Sequence, residues 1–237
     1  MSRVMNNSIY NKITSFRKKL GFTLAEVLIT LGIIGVISAI VIPQLIVATQ
    51  KDRTASKIRK FYSQINNAVR MAAYDTNVDV EGWVQKNKNY NKAEMTNFIE
   101  TYFTPYMNIQ SYKVVQKNPK CPNSERMLIV LNDGTAFSIL VDTNGLDIFF
   151  HPNPEKNYFA DPRYSFAFQL AKKKSEKNKD EYNSMDFVQP YSFNWNGTRE
   201  QLLNDSLRGC NRNAQSMQYC TKLIELNDWK FPKDYPW

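Results

Sequence analysis

The chain has 237 residues, enough for one domain of ordinary size plus a membrane helix. Its net charge of +9 is unevenly placed: Arg3, Lys12, Arg17, Lys18 and Lys19 precede residue 22 with no acid among them, and without them the charge falls to about +4. The high pI is therefore weak evidence for nucleic-acid binding, and a single histidine, three cysteines without a Cys-x-x-Cys pair, and eight glycines argue against a zinc site or a phosphate-cradling loop.

Residues 1–21 read as a leader to be set aside in fold reasoning. From Val27 to Val47 there are 21 residues without a charge, mainly Val, Ile and Leu with Gly32, Gly35, Ser38 and Ala39 among them. As a helix they reach about 31 Å, enough for a hydrocarbon core of about 30 Å. An ordinary secretory signal is cut behind its apolar region, whereas here the small residue, Gly21, stands in front of it. One carboxylate, Glu26, lies just inside the apolar segment, where an ionisable group is costly and points to function.

Lys18-Lys19-Leu20-Gly21-Phe22-Thr23-Leu24-Ala25-Glu26 resembles the processing motif of type IV prepilins and type II secretion pseudopilins. The resemblance implies cleavage after Gly21 by a prepilin peptidase, N-methylation of Phe22 by the same enzyme, and an assembly role for Glu26, four residues past the cut. Pro43 is similar to the helix-kinking proline of the family. The implied partners are the peptidase/N-methyltransferase, other pilin or pseudopilin subunits, and inner-membrane assembly machinery. The implied location is a single pass through the inner membrane with the C-terminal domain outside, or the assembled filament in the periplasm or at the cell surface. The basic leader fits the positive-inside rule, although Lys51, Arg53, Lys57, Arg59 and Lys60 beyond the span weaken that argument.

Small residues Ala25, Gly32, Gly35 and Ala39 fall on one helical face; they suit close helix–helix approach and equally the ordinary composition of membrane helices. Ile58, Phe61, Ile65, Ala68, Val69 and Ala72 recur at steps of three and four, with Lys57, Arg59, Lys60, Gln64, Asn66 and Arg70 between them. This predicts an amphipathic continuation, so that one helix runs from about Phe22 to Tyr74, with 22–48 as its membrane half and 49–74 as its amphipathic half. A globular domain follows over 75–237.

Asp75–Asn91 reads as a loop, and residues 92–103 as a short helix capped by Asn91 and Glu94 and ended by Pro105. Strands are expected at Ser111–Gln116, Arg126–Leu131 and Thr135–Val141, the last two joined by the hairpin signal Asn132-Asp133-Gly134. Asp142-Thr143-Asn144-Gly145 reads as a polar turn, with a calcium site at Asp142 and Asn144 as the rival. Leu146–Pro162 is rich in turn formers, which places His151 in a loop without an evident partner; Phe166–Leu170 is a further strand, and Lys172–Lys179 a solvated lysine-rich loop.

Short helical stretches are expected at Arg199–Leu207 and around Met217–Ile224. Cys210 and Cys220 are predicted to pair, which the chain-entropy relation values at roughly 3 kcal/mol, and Cys121 is the odd cysteine. Trp229, Phe231, Tyr235 and Trp237 are expected to fold back on the domain, with an aromatic sugar-binding ledge as the rival.

These readings add up to an α+β fold: a long N-terminal membrane-spanning helix with a small antiparallel sheet packed on its C-terminal half. The function expected is a non-catalytic structural subunit of a type IV pilus or type II secretion pseudopilus, without a cofactor. The alternative is a minor or tip pilin-like protein acting as a membrane-anchored binding or adhesive module. Neither a catalytic arrangement nor aromatic-interleaved basic patches for nucleic acid are evident.

Overall fold

The computed structural model describes residues 21–78, 83, 92–115, 126–142, 145–155, 161–171 and 187–237. The chain divides into two compact units, Met1–Val47 and Ala48–Trp237. Helix α1, Leu24–Thr76, starts in the first and ends in the second, with Pro43 inside it.

In the first unit no residue of α1 is buried, although nearly all are apolar. An apolar helix exposed on every side is the signature of a span or of a helix awaiting neighbours. In the second unit burial starts at Ala55 and continues through Ile58, Phe61, Ile65, Ala68, Val69 and Ala72, the stripe predicted by the spacing. Asn66 departs from that expectation. It is buried, accepts from the Val188 amide at 2.8 Å and donates to the Val188 carbonyl at 3.1 Å. This pair ties α1 to the entry of the last strand, and each bond avoids leaving a buried polar group unsatisfied.

Helix α2, Lys92–Tyr102, turns Met95, Phe98 and Ile99 into the core. Six strands follow: β1 Ile109–Val115, β2 Arg126–Leu131, β3 Ala136–Asp142, β4 Gly145–His151, β5 Phe166–Ala171 and β6 Gln189–Pro190. They form one antiparallel sheet in chain order. Antiparallel neighbours in chain order need no crossover connection. The β2–β3 loop is the predicted hairpin: Gly134 donates to Leu131 O at 3.0 Å and adopts φ 78°, a left-handed conformation that glycine enters without steric cost.

Alternation decides the two sheet faces. Phe137, Phe150 and Phe168 lie on one face and surround Phe61 of α1, with ring centroids 5.5, 4.4 and 5.7 Å away. On the other face Arg126 lies over the Phe149 ring at 3.9 Å, and Ser138 meets His151.

Strand β4 corrects the turn-rich reading of Leu146–Pro162. Leu146, Ile148 and Phe150 are buried in alternation, whereas the turn formers begin only at Pro152. His151 consequently ends a buried strand instead of sitting in an open loop. Its Nε2 lies 3.2 Å from Ser138 Oγ and its Nδ1 3.3 Å from the Tyr164 carbonyl. A carbonyl only accepts, so Nδ1 carries the proton of the neutral ring and Nε2 accepts from Ser138. Burial first, and then the positive Arg126, lower its pKa to about 3 against the opposing effect of the Tyr164 bond.

Helices α3, Arg199–Asn204, and α4, Cys220–Glu225, close the fold. Thr198 caps α3 by accepting from the Gln201 amide. The Cys210–Cys220 disulfide ties the loop after α3 to the first residue of α4, with both cysteines buried. The aromatic tail packs back: Trp229 against Tyr62 at 4.9 Å, Phe231 against Phe166, Tyr235 and Trp237. Cys121, Asn91, Asn144 and the Lys172–Lys179 run lie outside the described residues.

Candidate functional site at the start of the long helix

The chemistry predicted from sequence gathers in six residues, Gly21 to Glu26, where α1 begins. Nothing lies within 4 Å of the position a Cβ would take at Gly21, and Phe22 is 87% exposed. Among the described residues nothing obstructs the bond after Gly21. Among the described residues there is room for a side chain at position 21, so their packing does not itself call for glycine there.

Glu26 has an intrachain partner that a search for cations misses. Its Oε2 accepts from the Thr23 amide at 2.8 Å and from the Thr23 hydroxyl at 2.9 Å; the Thr23 hydroxyl in turn accepts from the Glu26 amide at 3.2 Å. Thr23 immediately precedes the first helical residue, so Thr-x-x-Glu forms a capping box that satisfies orphan donors at the helix start. The spacing was legible in the sequence as Ser/Thr-x-x-Glu before an apolar run, but the ionisable group within apolar sequence drew attention to charge instead. Thr23 is thus a site residue that the sequence reading did not single out. The cap brings hydrogen-bond donors but no cation to the carboxylate, and among the described residues the nearest basic one along the chain, Lys51, is 25 residues on.

Pro43 lies just over three turns before the first buried position of α1, Ala55. Its missing N–H removes one helical bond inside the apolar half. Asp142 and Gly145 pair across the β3–β4 connection, so the calcium candidate falls on a hairpin turn, with Asn144 outside the described residues. Among the described residues, no group of three or more His, Cys, Asp or Glu could hold a metal ion. A polar cleft of about 350 Å³ lies between Lys60, Gln64 and Asn67 of α1 and Tyr106, Asn108, Asn132 and Asp133, with Lys60 and Asp133 bridged at 2.6 Å.

A glycine before an exposed phenylalanine, a capped glutamate and an apolar helix before an α+β unit define a chain with a prepilin-type start and a pilin-like architecture. Residues 16–42 match the prokaryotic N-terminal methylation motif, the prepilin-type cleavage and methylation signal. Over residues 44–237 the chain belongs to a family of unknown function, DUF6613. No curated protein and no solved structure matches it.

Proposed function

We propose that this chain is a structural subunit of a type IV pilus or type II secretion pseudopilus. In this reading a prepilin peptidase cuts after Gly21 and methylates Phe22, the apolar half of α1 holds the subunit in the inner membrane, and the same helix then packs with others in a filament. The role is assembly and not catalysis. One observation carries the proposal: the methylation motif at residues 16–42 runs into a helix from Leu24 whose residues up to Gln50 are mostly apolar and none of them buried. Such a surface requires lipid or other helices to cover it. The packed sheet unit supplies the part that would coat the filament.

Mass spectrometry of the N-terminal peptide from membrane-extracted protein tests the processing step. The expected peptide starts at Phe22 and carries one methyl group on its amine. Recovery of an intact 1–21 segment in that protein would overturn the proposal.

A further inference from the structure

The segment 229–237 runs back along α1 towards the apolar half. Trp229 packs on Tyr62, and Trp237 lies under Lys51, whose Nζ is 5.7 Å from the ring centroid. Between those contacts α1 retreats by eleven residues, about 16 Å of helix. Lys51 is itself only four residues beyond Val47, the last residue of the uncharged run. Four residues of chain span at most about 14 Å in any conformation, so Lys51 and Trp237 stay near the end of the apolar run however the two units are oriented.

The chemistry at this edge is that of a membrane interface. Trp237 is half-buried, with the Phe231 ring centroid 4.8 Å from its own and the two planes steeply inclined. The exposed Arg212 donates to a main-chain oxygen of Trp237 at 3.0 Å, which places a second cation beside that residue, and it also helps to hold the Asp161 carboxyl below its ordinary range. Lys230 and Lys233 are exposed in the same segment. Asp234 is held by Arg199 at 2.7 Å and Asp161 by Arg163, while Asp52 is exposed one position from Lys51. Indole rings settle at headgroup depth, and lysine and arginine near a surface attract lipid phosphate.

We propose that Trp237, Lys51 and Arg212 form a headgroup-docking edge that rests on the leaflet from which the chain's own span emerges. The partner is phospholipid: phosphate for the two cations, the interfacial layer for the indole. The inference rests on the reading that Val27–Val47 lies in a bilayer, but not on filament assembly.

The test uses the full chain in nanodiscs of phosphatidylcholine and phosphatidylglycerol, with or without lipids brominated near the headgroup end of their acyl chains. Bromine quenches only nearby indoles. With one of the four tryptophans at the interface, about a quarter of the tryptophan emission is expected to be lost in brominated discs. Trp237→Phe keeps an aromatic ring against Phe231 and is expected to abolish the quenching. Lys51→Glu keeps the indole and is expected to cut the quenching about twofold or more. Equal quenching in Trp237→Phe and the parent, or none in the parent, overturns the docking edge. Unchanged quenching in Lys51→Glu overturns the phosphate contact. Co-elution of the parent chain with the discs reads the span separately, so loss of docking and loss of membrane residence are distinguishable.

Discussion

Glu26→Gln and Glu26→Ala separate charge from capping at the start of α1. Gln retains an oxygen for the Thr23 donors and completes the same box, whereas Ala removes both, at about 1 kcal/mol of helix start. In the proposed filament the charge of Glu26 is matched by the amine of a neighbouring Phe22. Both variants are therefore expected to be cut after Gly21, to accumulate in the membrane, and to be missing from sheared-filament fractions. Wild-type assembly of Glu26→Gln would show that the cap matters and the charge does not. His151 gives a second expectation at this scale. Its folded pKa of about 3 lies below the ordinary 6.5, so the unfolded chain binds the proton first as pH falls. The stability from keeping the ring neutral is complete above about pH 6.5 and is lost progressively towards pH 3, by about 2 kcal/mol at pH 5. The midpoint of thermal unfolding is expected to fall over that range, and His151→Gln to flatten the dependence there. An unchanged slope in the variant would place the acid sensitivity elsewhere.

At the scale of elements, the contact of α1 with the sheet is organised around one side chain. Phe61 is 1% exposed and meets a phenylalanine from each of β3, β4 and β5. Phe61→Ala opens a cavity that three rings on a hydrogen-bonded sheet cannot refill, and is expected to cost about 3–5 kcal/mol in denaturant unfolding. Tyr62, one position on, is half-buried between Phe168 and Trp229, so Tyr62→Ala is expected to cost less. A comparable loss at both positions would mean that the tail, and not the sheet, supplies the main contact of α1.

At the scale of the whole molecule, two surfaces of opposite character share one helix. The apolar half of α1 has no buried residue, and Gly35 has nothing within 4 Å of where its Cβ would stand. A Cβ there meets no atom of the described residues, so the effect of a side chain reports the surroundings. Gly35→Arg is expected to cost about 2.5–3.5 kcal/mol of membrane insertion and to raise the share released by an alkaline carbonate wash. If both proteins stay equally in the pellet, Gly35 does not sit in the hydrocarbon layer. The sheet unit is expected to unfold identically in the two, since none of its core residues precedes Ala55.

What the sequence determined by itself is local in range. The apolar run, the stripe from Ile58 to Ala72, the Asn132-Asp133-Gly134 hairpin and the Cys210–Cys220 pairing are set by spacings of a few to ten residues, and each stands in the structure as expected. The Thr23–Glu26 box is equally local and was readable. What tertiary structure decided is burial, because burial depends on which distant segment covers a residue. Asn66 reads as one more polar position between apolar ones, and only the Val188 backbone, 122 residues away, makes it a core group. His151 reads as a loop residue among turn formers until β3 and the Tyr164 carbonyl enclose it. The aromatic tail announces that it will pack, but the path that brings Trp229 to Tyr62 and Trp237 to Lys51 is set by contacts across more than 160 residues, which no local spacing encodes.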